Sequence, residues 1–307
     1  MAWSTRCCSR RKRNNPARSY TNHNRDDPPS SLFFYPGPSP TETPMTMIPP
    51  HIQGLILDMD GVLWKADAPI GDLPAIFARI AAHGLKVVFA TNNGTRSPQQ
   101  YVERLAGLGV KIEAWQVVTS SLCAAHLLAQ QFPQGGPLFA IGERGLIEAL
   151  QARNFQTLSP EDAPKAQAVV MGIDREINFE KMREATLLVR AGQPFYATNP
   201  DKTFPTPRGE IPGAGAWISV VVTATEIEPV YAGKPYPYII GLALERLGLP
   251  KQNALVVGDR LETDIAAGQA FGSPCALVLS GVSTLQQAQA WSPRIDLIAE
   301  SLEALLE

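Results

Sequence analysis

The sequence predicts an α/β protein: a parallel sheet covered by helices on both faces, with a smaller α/β unit inserted into it. Three observations predict this. Short runs that are apolar at every position, such as "GLIL" (54–57) and "ALVVG" (254–258), alternate with helix-period segments. Continuously apolar strands must be buried on both faces, which is the condition of a parallel sheet. The alternation is also interrupted between about 134 and 228 by a block with its own strands and helices and with Pro- and Gly-rich loops, and it then resumes.

The elements follow in order. "GLILDMD" (54–60) is a buried strand. "LPAIFARIAAHG" spaces Leu73, Ile76, Phe77 and Ile80 at helical intervals and stops at Gly84. "LKVVFATNN" is a second strand, and "SPQQYVERLAGLG" is a helix with Ser97 as N-cap and Pro98 in the first turn, where no N–H is missed. "WQVVTSS" and "SLCAAHLLAQQF" repeat the unit, as do "NALVVGDR", "ETDIAAGQAFG" and "CALVLSG" near the C-terminus. Inside the insertion, "PLFAIG", "AQAVVMGID" and "QPFYATN" read as strands, and "GLIEALQARN" and "NFEKMREATLLVRAG" as helices. "NPDKTFPTPRGEIPGAGAW" (199–217) reads as loop. The expected organisation is a disordered basic, Pro-rich tail (1–47), a core formed by 48–133 and 229–307, and the insertion 134–228.

Composition narrows the function. With 45% hydrophobic and 18% charged residues, the 307-residue chain can bury a substantial core. A net charge of −2 gives no reason to expect nucleic acid as a partner. No run approaches the eighteen or so apolar residues that span a bilayer, so no membrane is expected. Seven basic and three acidic side chains fall in 1–45, a segment without apolar periodicity. An unfolded tail, or a start placed upstream of Met45 and Met47, is the expectation there; an Arg/Ser-rich organellar transit peptide is the alternative. Of four cysteines, Cys7 and Cys8 lie in the tail, and Cys123 and Cys275 sit in apolar stretches as core residues. That usage fits a reducing compartment, and the expected location is cytoplasmic.

Polar residues stand where the predicted strands end: Asp58 and Asp60 after "LIL", Thr91, Asn92 and Asn93 after "VVFA", and Asp259 after "LVVG", with Asp264 five residues on. In a parallel sheet, ligands bind beyond those ends. If the strand runs on through Asp60, Asp58 and Asp60 face the same side, and one would be driven toward protonation unless a cation intervened. A hard divalent ion, Mg²⁺, suits oxygen ligands, and the four scattered histidines give no zinc site. Carboxylates on Mg²⁺ suggest phosphoryl chemistry. Asp58 could attack phosphorus and form an aspartyl-phosphate, with Asp60 protonating the leaving alcohol and then deprotonating water. Thr91 and Asn92 could donate to phosphoryl oxygens, and Lys234, before a helix whose first turn would hold Pro235 and Pro237, could screen the charge.

At these residues the chain resembles the haloacid dehalogenase superfamily of phosphohydrolases. "DMDGVL" matches the first motif, "FATNN" the second, Lys234 in "GKP" the third and "GDRLETD" the fourth, in order over 52–307. "TNNGTRSP", "ATNPD", "PGAGA" and "GKPYP" resemble the NagD / para-nitrophenyl phosphatase branch, with its C2A-type cap between motifs two and three. The resemblance implies a Rossmann-like core and a phosphomonoesterase with Asp58 as nucleophile and metal ligand. It also implies Asp60 as acid/base and as a metal ligand through its carbonyl, and Asp259 on Mg²⁺. Thr91, Asn92, Asn93 and Lys234 would hold the phosphoryl group, and Asp264 would brace the metal or Lys234. Asn199, with Pro200 and Asp201, is a candidate for leaving-group contacts.

A small phosphorylated metabolite is the implied partner: a sugar phosphate, nucleoside monophosphate, phosphoglycolate, glycerol phosphate or pyridoxal phosphate. Capped enzymes of this kind often self-associate, so a homodimer through the cap is a further expectation. The alternatives are a phosphotransferase or mutase of the same superfamily, or a non-catalytic ligand-binding homologue. Two departures from the pattern stand out: Gly94 where Ser is frequent, and "TATEIEP" (223–229), which lacks a Gly before its Pro-containing turn.

Overall fold

The computed structural model describes residues 46–206 and 208–307, so the tail expectation, with Cys7 and Cys8, lies outside the described residues. Six parallel strands form one sheet in the order Leu297–Ala299, Cys275–Val278, Ala254–Gly258, Gly54–Leu57, Lys86–Thr91 and Val117–Thr119. Consecutive side chains in these strands point to opposite faces, and both faces are apolar. Ile56, Val88, Val118 and Val256 join one buried cluster, and Leu55, Leu57, Phe89 and Val257 join another on the far side. Helices Ser120–Gln131 and Tyr238–Leu247 cover the first face, and Leu73–Ala82 and Pro98–Gly107 the second. The alternation read in the sequence is this layering.

Five more parallel strands form a second sheet in the order Val230–Tyr231, Phe195–Ala197, Val169–Met171, Gly136–Ile141 and Phe155–Thr157. Its outer face packs on helices Phe179–Arg190 and Ala214–Thr225 through Phe139, Met171, Leu188, Ile218 and Val221. Its inner face supplies Leu138, Val170 and Tyr196 to the same cluster that backs the first sheet. One apolar mass therefore runs continuously between the two sheets.

Four local readings are corrected. Thr203–Thr206 pairs antiparallel with Gly209–Pro212, where open loop was expected. "AGAWISVVVTAT" (214–225) is helical although β-branched residues lower its intrinsic propensity; burying Ala214, Ile218 and Val221 overrides that preference. The helix after Lys234 begins only at Tyr238, with Pro237 as its N-cap, so Pro235 and Pro237 precede it. Val230–Tyr231 belongs to the second sheet, just past residue 228, because its backbone pairs with Tyr196 and Ala197. No helix among the described residues is long and apolar enough to cross a membrane.

Candidate active site

The central strand Gly54–Leu57 lies between Ala254–Gly258 and Lys86–Thr91, and all three run in the same direction. Their carboxyl ends therefore share one rim, and each delivers its polar residue there: Asp58, Thr91 with Asn92, and Asp259. One carboxylate oxygen from each of Asp58, Asp259 and Asp264 lies within 4.8 Å of the others. Asp264 reaches the cluster from a π-helical turn, Leu261–Ile265, directly after the strand bearing Asp259.

Asp60 does not join them. The strand stops at Leu57; the Asp58 N–H still bonds to the Val257 carbonyl at 2.9 Å, but Met59 then dives into the core and its carbonyl accepts from the Leu63 N–H at 2.8 Å. This turn defeats the expectation that Asp58 and Asp60 face one side of an extended chain. Asp58 enters the carboxylate cluster, whereas Asp60 is exposed at the cavity wall and accepts from Trp64 Nε1 at 2.9 Å. Gly61 makes the turn with φ +84°, and a Cβ there would collide with the Asp259 carboxylate.

Lys234 ties the cluster together. Its Nζ donates to Asp58 Oδ1 at 2.7 Å, Asp264 Oδ1 at 2.5 Å and the Ala90 carbonyl at 2.9 Å, which uses all three ammonium hydrogens. Burial alone would lower its pKa, but the charges of Asp264 and Asp58 outweigh burial and raise it. Burial pushes the Asp58 carboxyl well above its ordinary range; Lys234 pulls it back, and Asp264 and Asp259 push it up again. Burial, followed by the charge of Asp264, raises Asp259 to about 7. Asp259 Oδ2 accepts from the Val282 N–H at 2.8 Å, and its buried Oδ1 has no partner among the described residues.

The asparagine side chains line the cavity and bond to other residues of the chain. Asn92 Nδ2 donates to both Asp201 oxygens, at 3.2 and 3.1 Å, and to the Lys234 carbonyl at 2.9 Å, while its Oδ1 accepts from the Lys234 N–H at 2.8 Å. Its side chain thus forms a latch between Asp201 and Lys234. Asn199 completes the latch, donating to the Asn92 carbonyl at 2.8 Å and accepting from the Asp201 N–H at 3.1 Å. Asn93 Oδ1 accepts from the N–H and hydroxyl of Thr95, at 3.2 and 2.7 Å, and so shapes the turn. The buried Thr91 hydroxyl accepts from the Asn93 N–H at 3.1 Å and lines the cavity.

Several contributors escaped the sequence reading. Ser120 and Ser121 donate to the carbonyls of Asn92 and Gly94, at 2.6 and 2.9 Å. A Cβ at position 94 would strike Ser121 Oγ, so the Gly94 departure is paired with that serine. The loop after Cys275–Val278 supplies the Val282 N–H to Asp259 and Ser280 Oγ to the Gly61 carbonyl, at 2.7 Å. Its "LSGVS" follows an apolar strand, which was the available signal. A cavity of about 520 Å³ spans from these residues to Glu143, Ile173, Asn199, Phe204 and Thr206 of the inserted segment.

The haloacid dehalogenase-like hydrolase family model matches residues 55–156, and a HAD-hydrolase-like model matches 231–305. The acid sugar phosphatase of Staphylococcus aureus is 36% identical over 234 residues, which cover 76% of this chain and 89% of that one. The chain belongs to the haloacid dehalogenase-like hydrolases. Among solved members of that family, a p-nitrophenyl phosphatase from Archaeoglobus fulgidus superposes with a TM-score of 0.77 at 34% identity, covering 83% of this chain and 98% of that one. A glycerol phosphate phosphatase from Mycobacterium tuberculosis, solved in complex with magnesium, gives 0.77 at 34% identity over 83% of this chain and 76% of that one. The four motifs by which the family was recognised lie on the rim just described.

Proposed function

We propose that the chain is a Mg²⁺-dependent phosphomonoesterase acting on small phosphorylated metabolites through an aspartyl-phosphate on Asp58. One observation carries the reading: a strand-end carboxylate, paired with a buried lysine, faces a cavity of about 520 Å³ beside a buried Asp259 oxygen that has no partner among the described residues. Such an oxygen is costly unless a cation meets it. The donor set fits a hard divalent ion: Asp58 and Asp259 by their carboxylates and Asp60 by its carbonyl. When bound, Mg²⁺ holds the clustered carboxylates ionised and neutralises charge on a phosphoryl oxygen.

The chain's own residues do the rest. An Asp58 oxygen forms a bond to phosphorus as the ester P–O bond breaks, and the proton on the Asp60 carboxyl passes to the leaving oxygen. Asp60, now a carboxylate, takes a proton from the water that opens the aspartyl-phosphate. The Lys234 hydrogen bonded to Asp58 lies beside the entering phosphoryl group, and Asp264 keeps that lysine charged and in place. Thr91 offers a hydroxyl from the neighbouring strand. Asn92 and Asn199 act by holding Lys234 and the inserted segment in register.

The segment 134–228 is the cap: it roofs the cavity and excludes water during the first step. An acid sugar phosphatase and a glycerol phosphate phosphatase are among the relatives, and the substrate class proposed here is of that size: a sugar phosphate, glycerol phosphate, phosphoglycolate, nucleoside monophosphate or pyridoxal phosphate. Exchange of Asp58 for Asn removes the nucleophile while keeping its shape. The expected outcome is loss of p-nitrophenyl phosphate hydrolysis to the background rate with Mg²⁺ present; retention of more than a few per cent would sink the reading.

A further inference from the structure

Asp60 is held by a device that neither the family motifs nor the relatives' names assign. Trp64 begins the two-residue strand Trp64–Lys65, paired with Ala68–Pro69. Its ring is fully buried, yet its Nε1 donates to Asp60 Oδ1 at 2.9 Å, and the two residues form a backbone bridge as well. The Gly61 N–H closes the same turn on the Trp64 carbonyl at 2.7 Å. The guanidinium of Arg104, from the helix Pro98–Gly107, sits 4.0 Å from the indole centroid. Arg104 also donates to the Ala66 carbonyl at 2.6 Å, and Ala66 holds a left-handed backbone at φ +54° at the tip of this small hairpin. Its contact with Asp67, 3.7 Å to an almost fully exposed carboxylate, adds little.

The chemistry of the indole gives this arrangement a consequence. An indole N–H is a donor only, so the oxygen it faces must accept in both protonation states of the carboxyl. Because a carbonyl oxygen is the better acceptor, this contact favours Oδ1 as the carbonyl oxygen and directs a proton on Asp60 to Oδ2, which accepts no hydrogen bond among the described residues.

We propose that Trp64, clamped by Arg104, is a positioning residue that fixes which oxygen of Asp60 carries the transferable proton and where it points. The inference rests on the phosphatase reading above. In the step it serves, Asp58 bonds to phosphorus, the ester bond breaks, and the Oδ2 proton moves to the leaving oxygen; Trp64 keeps its own N–H and stabilises the Asp60 carboxylate that results.

Leaving-group dependence tests it. An alkoxide needs that proton as the ester breaks, whereas p-nitrophenolate leaves without it. The ratio kcat/KM reports steps only through that departure, so the later use of Asp60 as base does not enter. Trp64→Phe keeps an aromatic ring and removes the donor. The expected result is a drop in kcat/KM on the order of 10–100-fold for glycerol phosphate, or another alkyl phosphate the wild type turns over, against less than about threefold for p-nitrophenyl phosphate. Arg104→Met, on a half-buried helix position, should show the same bias at smaller amplitude, and it decides the matter if the buried Trp64→Phe variant does not fold. Equal losses on both esters, or none on either, overturn the inference. A wild-type protein that hydrolyses neither ester overturns the phosphatase reading instead, so the two failures are distinguishable.

Discussion

On the floor of the cavity Lys234, Asp264 and Asp259 are each held by hydrogen bonds, with the Asp259 Oδ1 left without a partner among the described residues. Lys234 makes three hydrogen bonds, Asp264 accepts from Lys234 and from the Arg260 N–H at 3.0 Å, and Asp259 takes the Val282 N–H. The roof is built otherwise: the hairpin strand Gly209–Pro212 is exposed throughout, and Phe204 and Thr206 of its partner are half-buried at the cavity wall. Strand ends in a sheet buried on both faces hold reacting groups within tenths of an ångström, as group transfer requires. A hairpin resting on one helix can vary without disturbing them. Under the proposed function, the contrast separates the part that would react from the part that would select.

The hardest blow to the floor is Lys234→Met. It leaves Asp58 and Asp264 buried without their counter-ion, which should cost about 3–5 kcal/mol in urea unfolding and lower kcat by on the order of 10²–10³-fold. A smaller effect comes through Asp259. Its folded pKa of about 7 lies above the ordinary 3.8, so the folded state holds its proton longer than the unfolded chain does. Stability of the metal-free protein is then full below about pH 4 and declines by a few kcal/mol as pH rises to about 7. Mg²⁺ should therefore raise the melting temperature more at about pH 8 than at about pH 5; equal shifts would show that no such repulsion is stored on the floor.

The roof should respond in the opposite sense. Phe204→Ala is expected to change stability by no more than about 0.5 kcal/mol, while altering the ratio of kcat/KM values between two sugar phosphates by about tenfold. If it instead abolishes turnover of both, the roof takes part in the chemistry. Smallest of all, Glu226→Gly should stabilise the fold by about 1 kcal/mol with kinetics unchanged. Glu226 caps the helix Ala214–Thr225 with a left-handed φ of +60°, at the place where the sequence lacks the Gly otherwise found.

What could be read from the sequence follows the same division. Continuously apolar strands announced the first sheet, and polar residues at their ends announced Asp58, Thr91 and Asp259 as neighbours, because strand direction alone brings them to one rim; Lys234 follows a strand of the second sheet, so that pattern did not announce its place. The turn after Leu57 was not readable, since Met59 looks like any strand residue until it is seen to enter the core; hence the separation of Asp60 from Asp58 came as a correction. Asn92 and Asn199 carry the right functional groups for ligand contact, but their partners lie 142 and 107 residues away, and no local pattern reports such pairings. Trp64 and Ser121 were missed for a related reason: an apolar-looking residue and a small hydroxyl matter here only through one atom each.

The unbroken apolar seam from Val256 through Ala125 and Leu150 to Val170 has a bearing on how such a protein diversifies. Excising 134–228 would bare the greasy flank of the helix Ser120–Gln131, so the insertion is no detachable accessory. Novelty in substrate choice is cheapest at the hairpin 203–212, where lengthening or recolouring a few side chains leaves the seam closed.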